Sequence, residues 1–507
     1  MKNPRILVVT PEITYLPAGM GNLAQRMTAK AGGLADVSAS LVAALFDLGA
    51  DVHVALPNYR QMFNMDVFNL VNKELRLYHG KLPADRIHLA EDRIFYYRDK
   101  VYSTYEEDNT RIALIFQREV INNIIHRVQP DLIHCNDWMT GLVPAMARRL
   151  GIPCLFTIHN IHSEHVTLAQ VEDTGIDAAE FWEGLYYDEP PGSYEHARTT
   201  VPVDLLTSAI FASHYINSVS PSFLYEVAEG RHGFVPPPVQ AEMANKLHAG
   251  CAVGILNAPD ETYDAAKDQA LVENYTAETH VAGKRANKIE FQKQLGLESN
   301  PDAPLFFWPS RLDPMQKGCE LLADILFQLV DDYQSEHLQV AVVANGQHQV
   351  HFHEVIGMHH LEGRVCLVDF DEQLSRMGHA ASDFMLMPSR FEPCGLPQMV
   401  SALYGTLPIV HATGGLRDTI SPIDVEASTG NGFSFEVYDQ QGFRWAIDQA
   451  MHFYRRPADE RAKQITRVME DAKERFNHEE TAKAYFDIYE KMLQRPLTSK
   501  GAEAKTS

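Results

Sequence analysis

The chain lacks paired cysteines, long apolar runs and an excess of positive charge, and each absence removes a class of protein. Its six cysteines, at positions 135, 154, 251, 319, 366 and 394, never fall as CxxC, so neither a disulfide framework nor a zinc site is indicated. No apolar run reaches the roughly 18 residues that a membrane span needs. Lys and Arg number 44 against 67 Asp and Glu, a formal charge of −23. General nucleic-acid binding is excluded, because phosphate neutralisation takes clustered cations; the acidity is accounted for by solubility alone. A neutral polymer, or a small anion at a locally positive place, stays compatible. There is no P-loop, and no strand is followed by the full GxGxxG fingerprint, which argues against a dinucleotide-dependent dehydrogenase. The opening MKNPRILVVT runs straight into a strand-like segment with no room for a signal peptide. With the cysteine usage, this sets the expectation of a cytoplasmic enzyme.

What is present is a soluble globular composition, 45% hydrophobic and 22% charged, over 507 residues. That is too long for one ordinary core, and two or three domains are expected. Short runs of branched and apolar residues alternate with helix-like stretches: Ile6–Val9, Val52–Leu56, Leu132–His134, Cys154–Ile158 and Ile216–Val219. The series restarts with Leu305–Trp308, Val340–Val343, Val365–Val368, Phe384–Met387 and Leu407–Val410. Such runs read as buried parallel strands of βαβ units. The predicted class is α/β: two Rossmann-like doubly wound domains with ligand loops at the strands' carboxyl ends, facing a central cleft. The expected division is residues 1–258, an N-terminal domain; 259–478, a C-terminal domain; 479–494, an amphipathic helix; and 495–507, a frayed tail.

Three glycine loops lead into helices: Lys30-Ala-Gly-Gly-Leu-Ala-Asp36, Glu392-Pro-Cys-Gly-Leu-Pro-Gln398 and Thr413-Gly-Gly-Leu-Arg-Asp418. Glycine lets backbone approach a ligand, and a helix N-terminus offers free N–H groups to phosphate. Singly, each is equally a tight turn. Arg311 and Lys317 follow a strand's carboxyl end, where cations would stabilise a leaving diphosphate; as an isolated pair they are also ordinary surface charges.

The ordered set of motifs resembles the bacterial glycogen synthase and plant starch synthase family, glycosyltransferase family 5. Lys30–Asp36 is similar to its KxGGLADV, His134-Cys-Asn-Asp-Trp138 to HxHDW, and Phe156-Thr-Ile-His-Asn160 to FTIHN. Ser389-Arg-Phe-Glu-Pro-Cys-Gly-Leu396 matches SRFEPCGL, followed by Tyr404-Gly-Thr-Leu-Pro408 and Thr413-Gly-Gly-Leu416. The resemblance runs from Ile6 to about Leu493. It implies the GT-B fold, with the C-terminal helix crossing back to the first domain. It also implies retaining transfer of glucose from ADP-glucose to the 4-hydroxyl of an α-1,4-glucan, with no metal or other cofactor. By the same resemblance Glu392 contacts the transferred glucose, and Arg311 and Lys317 balance the diphosphate. His159 lies beside the reacting carbon, and Asp137 is an acid of the acceptor half. Lys30, Gly32, Gly33, Cys394, Gly395, Leu396, Thr413 and Gly414 would bind the donor, with His379 where the family often sets a tyrosine against the base.

The chain also departs from the family pattern. Tyr15–Arg26 is longer than usual, and Arg311 and Lys317 stand six apart rather than five. His232-Gly-Phe-Val-Pro-Pro-Pro238 replaces FGxGLDG, and Val400 stands where related transferases carry a second Glu. Asp369-Phe-Asp371 spells DxD, a metal-binding signature in a different transferase fold, and His348, His351, His353, His359 and His360 cluster without fixed ligand spacing. Neither is read as a metal site. Three readings follow: an ADP-glucose-dependent synthase; the same chemistry with UDP-glucose or a small acceptor; and a silent glucan-binding homologue. No nucleic-acid or membrane partner is expected, and oligomeric state is not encoded legibly.

Overall fold

The computed structural model describes residues 3–21, 24–63 and 86–498. By internal contacts the chain divides into two units: Met1–Val219, Leu224–Leu256 and His478–Ser507 form the first, and Ser220–Phe223 with Asn257–Asn477 form the second.

The first unit is built on a seven-stranded parallel sheet. Its strands are β1 (Arg5–Val9), β2 (Asp51–Pro57), β3 (Ile87–Ala90), β4 (Leu132–Asn136), β5 (Cys154–Ile158), β8 (Tyr215–Ser218) and β9 (Ala252–Gly254). A separate antiparallel ribbon pairs β6 (His165–Val166) with β7 (Val203–Asp204). The order across the sheet is β3-β2-β1-β4-β5-β8-β9, so the direction of winding reverses between β1 and β4. Ile6 to Val9 are wholly buried, as expected where helices cover both faces and every side chain meets an apolar neighbour.

The second unit repeats the plan with six parallel strands, ordered β12-β11-β10-β13-β14-β15. They are β10 (Leu305–Trp308), β11 (Gln339–Val343), β12 (Val365–Val368), β13 (Phe384–Met387), β14 (Leu407–His411) and β15 (Phe433–Phe435). Winding reverses between β10 and β13. In open sheets of this kind, ligands bind beyond the carboxyl ends of the strands at that reversal. One face is sealed by Phe291 of the helix His280–Leu295 against Phe307, Met385 and Val410.

The helix His478–Leu493 belongs to the first unit. Its tyrosines enter a buried polar chain: Tyr489 Oη is 2.7 Å from His134 Nδ1, and His134 Nε2 is 2.7 Å from Thr157 Oγ1. Asn217 donates to Tyr485 Oη at 2.7 Å. Burial holds His134 down to about 3, so its imidazole is neutral and bridges as one donor and one acceptor.

One expectation is revised. The chain after Leu493 is anchored as far as the description reaches: Arg495 pairs with Asp131, Leu497 is fully buried, and its N–H donates to Glu490 at 3.0 Å. The rest of the expected frayed tail, 499–507, lies outside the described residues. The long Tyr15–Arg26 stretch, of which Asn22 and Leu23 are likewise outside the description, is folded rather than looped out. It forms two short turns and buries Leu16, Met20 and Ala24. Likewise, the prolines that replace the family's FGxGLDG open the helix Pro237–His248, where a missing N–H costs nothing.

Candidate active site

In the first unit, Glu12 and Asp137 stand just past the carboxyl ends of β1 and β4, the two strands at the winding reversal. Asp137 adopts φ 59°, in the left-handed region, which for a residue with a Cβ costs about 1–3 kcal/mol and persists only where neighbours over-determine it. The neighbours are explicit. Its Oδ1 accepts the His159 N–H at 2.9 Å and its Oδ2 the Asn160 amide at 2.8 Å. Burial pushes its carboxyl up to about 7, against the lowering effect of those two bonds. His159 follows β5, with Nε2 3.0 Å from Asn136 Oδ1, and burial holds it down to about 3, so the imidazole is neutral. The FTIHN and HxHDW segments are therefore one constellation, assembled by the pairing of β4 with β5.

Glu12 is a residue that sequence reasoning missed. It is buried, and its Oε2 accepts the N–H groups of Ala31 and Gly32 at 2.6 and 3.1 Å. Burial raises its pKa, partly offset by these bonds. The carboxylate thus holds the Lys30 loop by its backbone at the start of the helix Gly33–Asp47. Lys30 itself is exposed and pairs with Asp36 at 2.8 Å. Gly32 has open space around its Cβ position. The only sequence signal for Glu12 is positional: an acid three residues past the first buried strand.

In the second unit Lys317 Nζ donates to Glu392 Oε2 at 2.7 Å, and Ser389 Oγ donates to the same oxygen at 3.2 Å. Both side chains are largely buried. Among the described residues Glu392 Oε1 receives no hydrogen bond. The contact spans 75 residues and exists because β10 and β13 are neighbours. Gly318 makes it possible: its φ is 73°, and a Cβ there would sit 2.1 Å from the Pro388 carbonyl oxygen. The six-residue Arg311–Lys317 interval closes as a turn, with Lys317 N–H on the Asp313 carbonyl at 2.7 Å. Arg311 is exposed and, among the described residues, has no ion-pair partner.

The glycine loops after β13 and β14 pack backbone on backbone. Gly415 N–H donates to the Glu392 carbonyl at 3.0 Å. A Cβ on Gly414 would lie 2.1 Å from that same oxygen, and one on Gly415 would lie 2.0 Å from the Cys394 carbonyl oxygen. Gly395 takes φ 73°, and Gln398 braces the turn by donating to the Cys394 and Gly395 carbonyls at 3.1 and 3.0 Å. Leu396 accepts from Met399 and Val400 at the start of the helix Pro397–Leu403, and Thr413 accepts from Leu416 and Arg417. Burial pushes the Cys394 thiol up to about 12, which removes it as a nucleophile. Glu392, Lys317, Cys394, Gly395, Leu396, Thr413 and Gly414 thus belong to one set of contiguous loops, with Arg311 on the turn that precedes Lys317.

His379 does not join them. It is 4% exposed, its Nδ1 lies 2.8 Å from Ser401 Oγ, and its ring stands edge-on to Phe307 at 5.2 Å. It lies on the core face of the helix Glu372–Ala381, so no ring face is left for a base, and the expectation that His379 stands against the base is corrected. The DxD residues have local partners: Asp371 caps that helix by accepting from Leu374 N at 2.8 Å, and Asp369 accepts from Gln349 at 2.8 Å. In the histidine cluster, His359 stacks on Phe327 at 4.1 Å. Among the described residues, no three His, Cys, Asp or Glu side chains are arranged to hold a metal, and no helix is long and apolar enough to cross a membrane.

Comparison with known proteins bears on the same loops. Residues 5–235 match the family described as starch synthase catalytic domain, and residues 288–469 match glycosyl transferases group 1. The chain is 35% identical to the glycogen synthase of Exiguobacterium sibiricum, over 84% of this chain and 89% of that one. It is 31% identical to the glycogen synthase of Moorella thermoacetica, over 97% of each. Among solved structures it is similar to the catalytic domain of starch synthase IV from Arabidopsis thaliana, with TM-score 0.75 and 25% identity, covering 97% of this chain and 100% of that one. The fold is GT-B, the chain is a glycosyltransferase enzyme, and it belongs to the glycogen and starch synthase family.

Proposed function

We propose that the protein transfers glucose from ADP-glucose, with retention of configuration, to the non-reducing 4-hydroxyl of an α-1,4-glucan. The observation that carries this reading is the Lys317–Glu392 contact, flanked by the two interlocked glycine loops. A fixed cation and a fixed acceptor are what a donor's phosphate and sugar would need, and this contact supplies one of each. The similar Arabidopsis thaliana structure is bound to ADP and acarbose, which supports ADP as the leaving group and a saccharide acceptor.

In this mechanism Glu392 Oε1 accepts a hydroxyl of the donor glucose while Oε2 keeps Lys317 in place. The bond from the anomeric carbon to the diphosphate breaks, and its electron pair leaves with ADP. Arg311 and Lys317 stabilise that charge, with no metal called on. The glucan's 4-hydroxyl attacks the anomeric carbon from the same face, and its proton passes to the departing phosphate oxygen. Asp137 and the neutral His159 serve the acceptor side as hydrogen-bonding groups. A covalent glycosyl intermediate on a second carboxylate is not favoured: position 400 is a buried valine, and Cys394 is un-ionised. We place this enzyme in the cytoplasm.

The test is a coupled assay of nucleoside diphosphate release from ADP-glucose and UDP-glucose, with and without glycogen. Glycogen-dependent release from ADP-glucose, abolished in Glu392→Ala, is the expected outcome. Release from UDP-glucose alone would overturn the donor, and no release from either donor would overturn catalysis.

A further inference from the structure

The edge of the second unit carries a pocket of about 690 Å³ that the reaction does not use. It lies between the turn Asp424–Thr429 and the helix Gln440–Tyr454, beside the edge strand β15. The turn is closed by reciprocal backbone bonds, Asp424 N–H to Thr429 O at 2.9 Å and Thr429 N–H to Asp424 O at 3.0 Å. Asp424 Oδ1 also accepts the Glu426 and Ala427 N–H groups at 2.9 Å, so this wall is preformed. The helix contributes Trp445, Gln449 and His452, three residues spaced to share one face. The pocket reaches Phe433, the first residue of β15. The candidate active-site residues, by contrast, follow the carboxyl ends of β10, β13 and β14. The two places are at opposite ends of the sheet's strands.

Trp445 is the unusual member. It is 54% exposed, whereas Trp138 and Trp308 are buried, and large aromatic rings are normally well buried. The core side of its helix is already filled by Phe443, Ala446, Ile447, Ala450 and Met451, so the indole adds nothing to that packing. Around it the lining mixes Ile423, Val425 and Phe453 with polar groups of both signs. Arg456 is already paired with Glu460 at 3.0 Å, and Asp424 and Glu426 present carboxylates, so the pocket has no excess cation for a phosphate. An exposed indole beside amide, imidazole and carboxylate groups suits an uncharged ligand with one apolar face and a rim of hydroxyls. A glucose ring is such a ligand, with its axial C–H groups against the indole and its hydroxyls donating to Asp424 and Glu426. The volume falls within the roughly 300–1,000 Å³ of small-ligand sites.

We infer that the Trp445 pocket is a second saccharide site, which holds a stretch of the α-glucan polymer away from the reacting chain end. The identity of the polymer rests on the proposed function. Anchoring the polymer there raises the local concentration of its chain ends without adding a contact at the reaction centre.

The test is electrophoresis of the whole protein through native gels containing glycogen, paired with turnover on glycogen and on maltotriose. Wild type and Glu392→Ala are expected to be retarded equally. Trp445→Ala should lose about tenfold in apparent glycogen affinity and raise the glycogen KM by a similar factor, with maltotriose turnover unchanged. Gln449→Ala with His452→Ala should weaken retardation through a different pair of side chains, and an unchanged melting temperature shows that both variants are folded. Retardation of Trp445→Ala equal to wild type would overturn the inference, as would a wild type that glycogen does not retard. Retardation that depends on Trp445, in a protein that turns over neither donor, would uphold the pocket while removing the catalytic reading.

Discussion

Replacing Gly415 by alanine tests whether the two glycine loops of the second unit are locked together. The added Cβ would stand 2.0 Å from the Cys394 carbonyl oxygen and 2.4 Å from its Cα. Ordinary contact between carbon atoms is about 3.5–4.0 Å, so the loops must part by about 1 Å or more. Both neighbours are backbone, and no side-chain rotation relieves them. Overpacking of this kind costs about 1–3 kcal/mol, which for a domain of this size lowers the melting temperature by about 5 °C. The larger effect is on rate, because the displaced segment runs from Glu392 through Gly395. A misplacement of about 1 Å at reacting groups costs about 100-fold. The assay pairs thermal melting with kcat/KM for the donor. Gly357→Ala is the control: this exposed glycine lies inside the helix Gln349–His359 with no heavy atom within 4 Å of its Cβ position. There alanine should stabilise by about 0.5–1 kcal/mol and leave kcat/KM alone. A Gly415→Ala protein with wild-type melting and wild-type kcat/KM would refute the interlocked geometry and the role given to it.

Lys317→Ala strands a buried carboxylate, so it should destabilise the second unit by about 3–5 kcal/mol. Adding Glu392→Gln should recover most of that loss; equal urea midpoints for Lys317→Ala and wild type would deny the coupling. Asp137 is protonated more readily in the folded chain than in the unfolded one, where its value is near 3.8. Its stabilising contribution is therefore complete below about pH 4 and is lost as pH rises through about 7. Asp137→Asn removes this dependence, so its urea midpoint relative to wild type should climb between pH 5 and 8; a constant difference would contradict the burial assigned to this carboxyl. Glu12→Ala frees the Ala31 and Gly32 N–H groups and should raise the donor KM about tenfold. Glu12→Gln, which keeps an acceptor oxygen, should fall between the two; matching KM values in all three proteins would show that the loop needs no tether.

The strands most legible in the sequence are those buried on both faces, because unbroken apolar runs such as Ile6–Val9 and Phe384–Met387 have few other uses. The strands it concealed are short and lie at or beside the sheet edges. Ile87–Ala90 includes a histidine, Ala252–Gly254 is half-exposed along its length, and Phe433–Phe435 carries a half-exposed serine at its centre. At the candidate site, the glycines and Glu392 could be read because each sits inside a local motif. The Lys317–Glu392 contact could not, since it depends on which strands become neighbours. Glu12 was hidden for a related reason: its partners are backbone amides 19 and 20 residues downstream, and backbone leaves no mark in a sequence. His379 shows the opposite error, where the family position is matched but the side chain belongs to the core.

The helix His478–Leu493 closes the first unit through a bond between Tyr489 and His134, partners 355 residues apart. On a ribosome adding about 5–20 residues per second, roughly 20–70 s separate their synthesis. Until then His134 and Asn217 stand in the first unit without Tyr489 and Tyr485, while the whole second unit is made. Nascent chains of this enzyme therefore pass through a state in which the first unit is still open. A stalled or prematurely terminated chain is left in that state, with the groove for its last helix uncovered and available to chaperones or to the same helix of another copy.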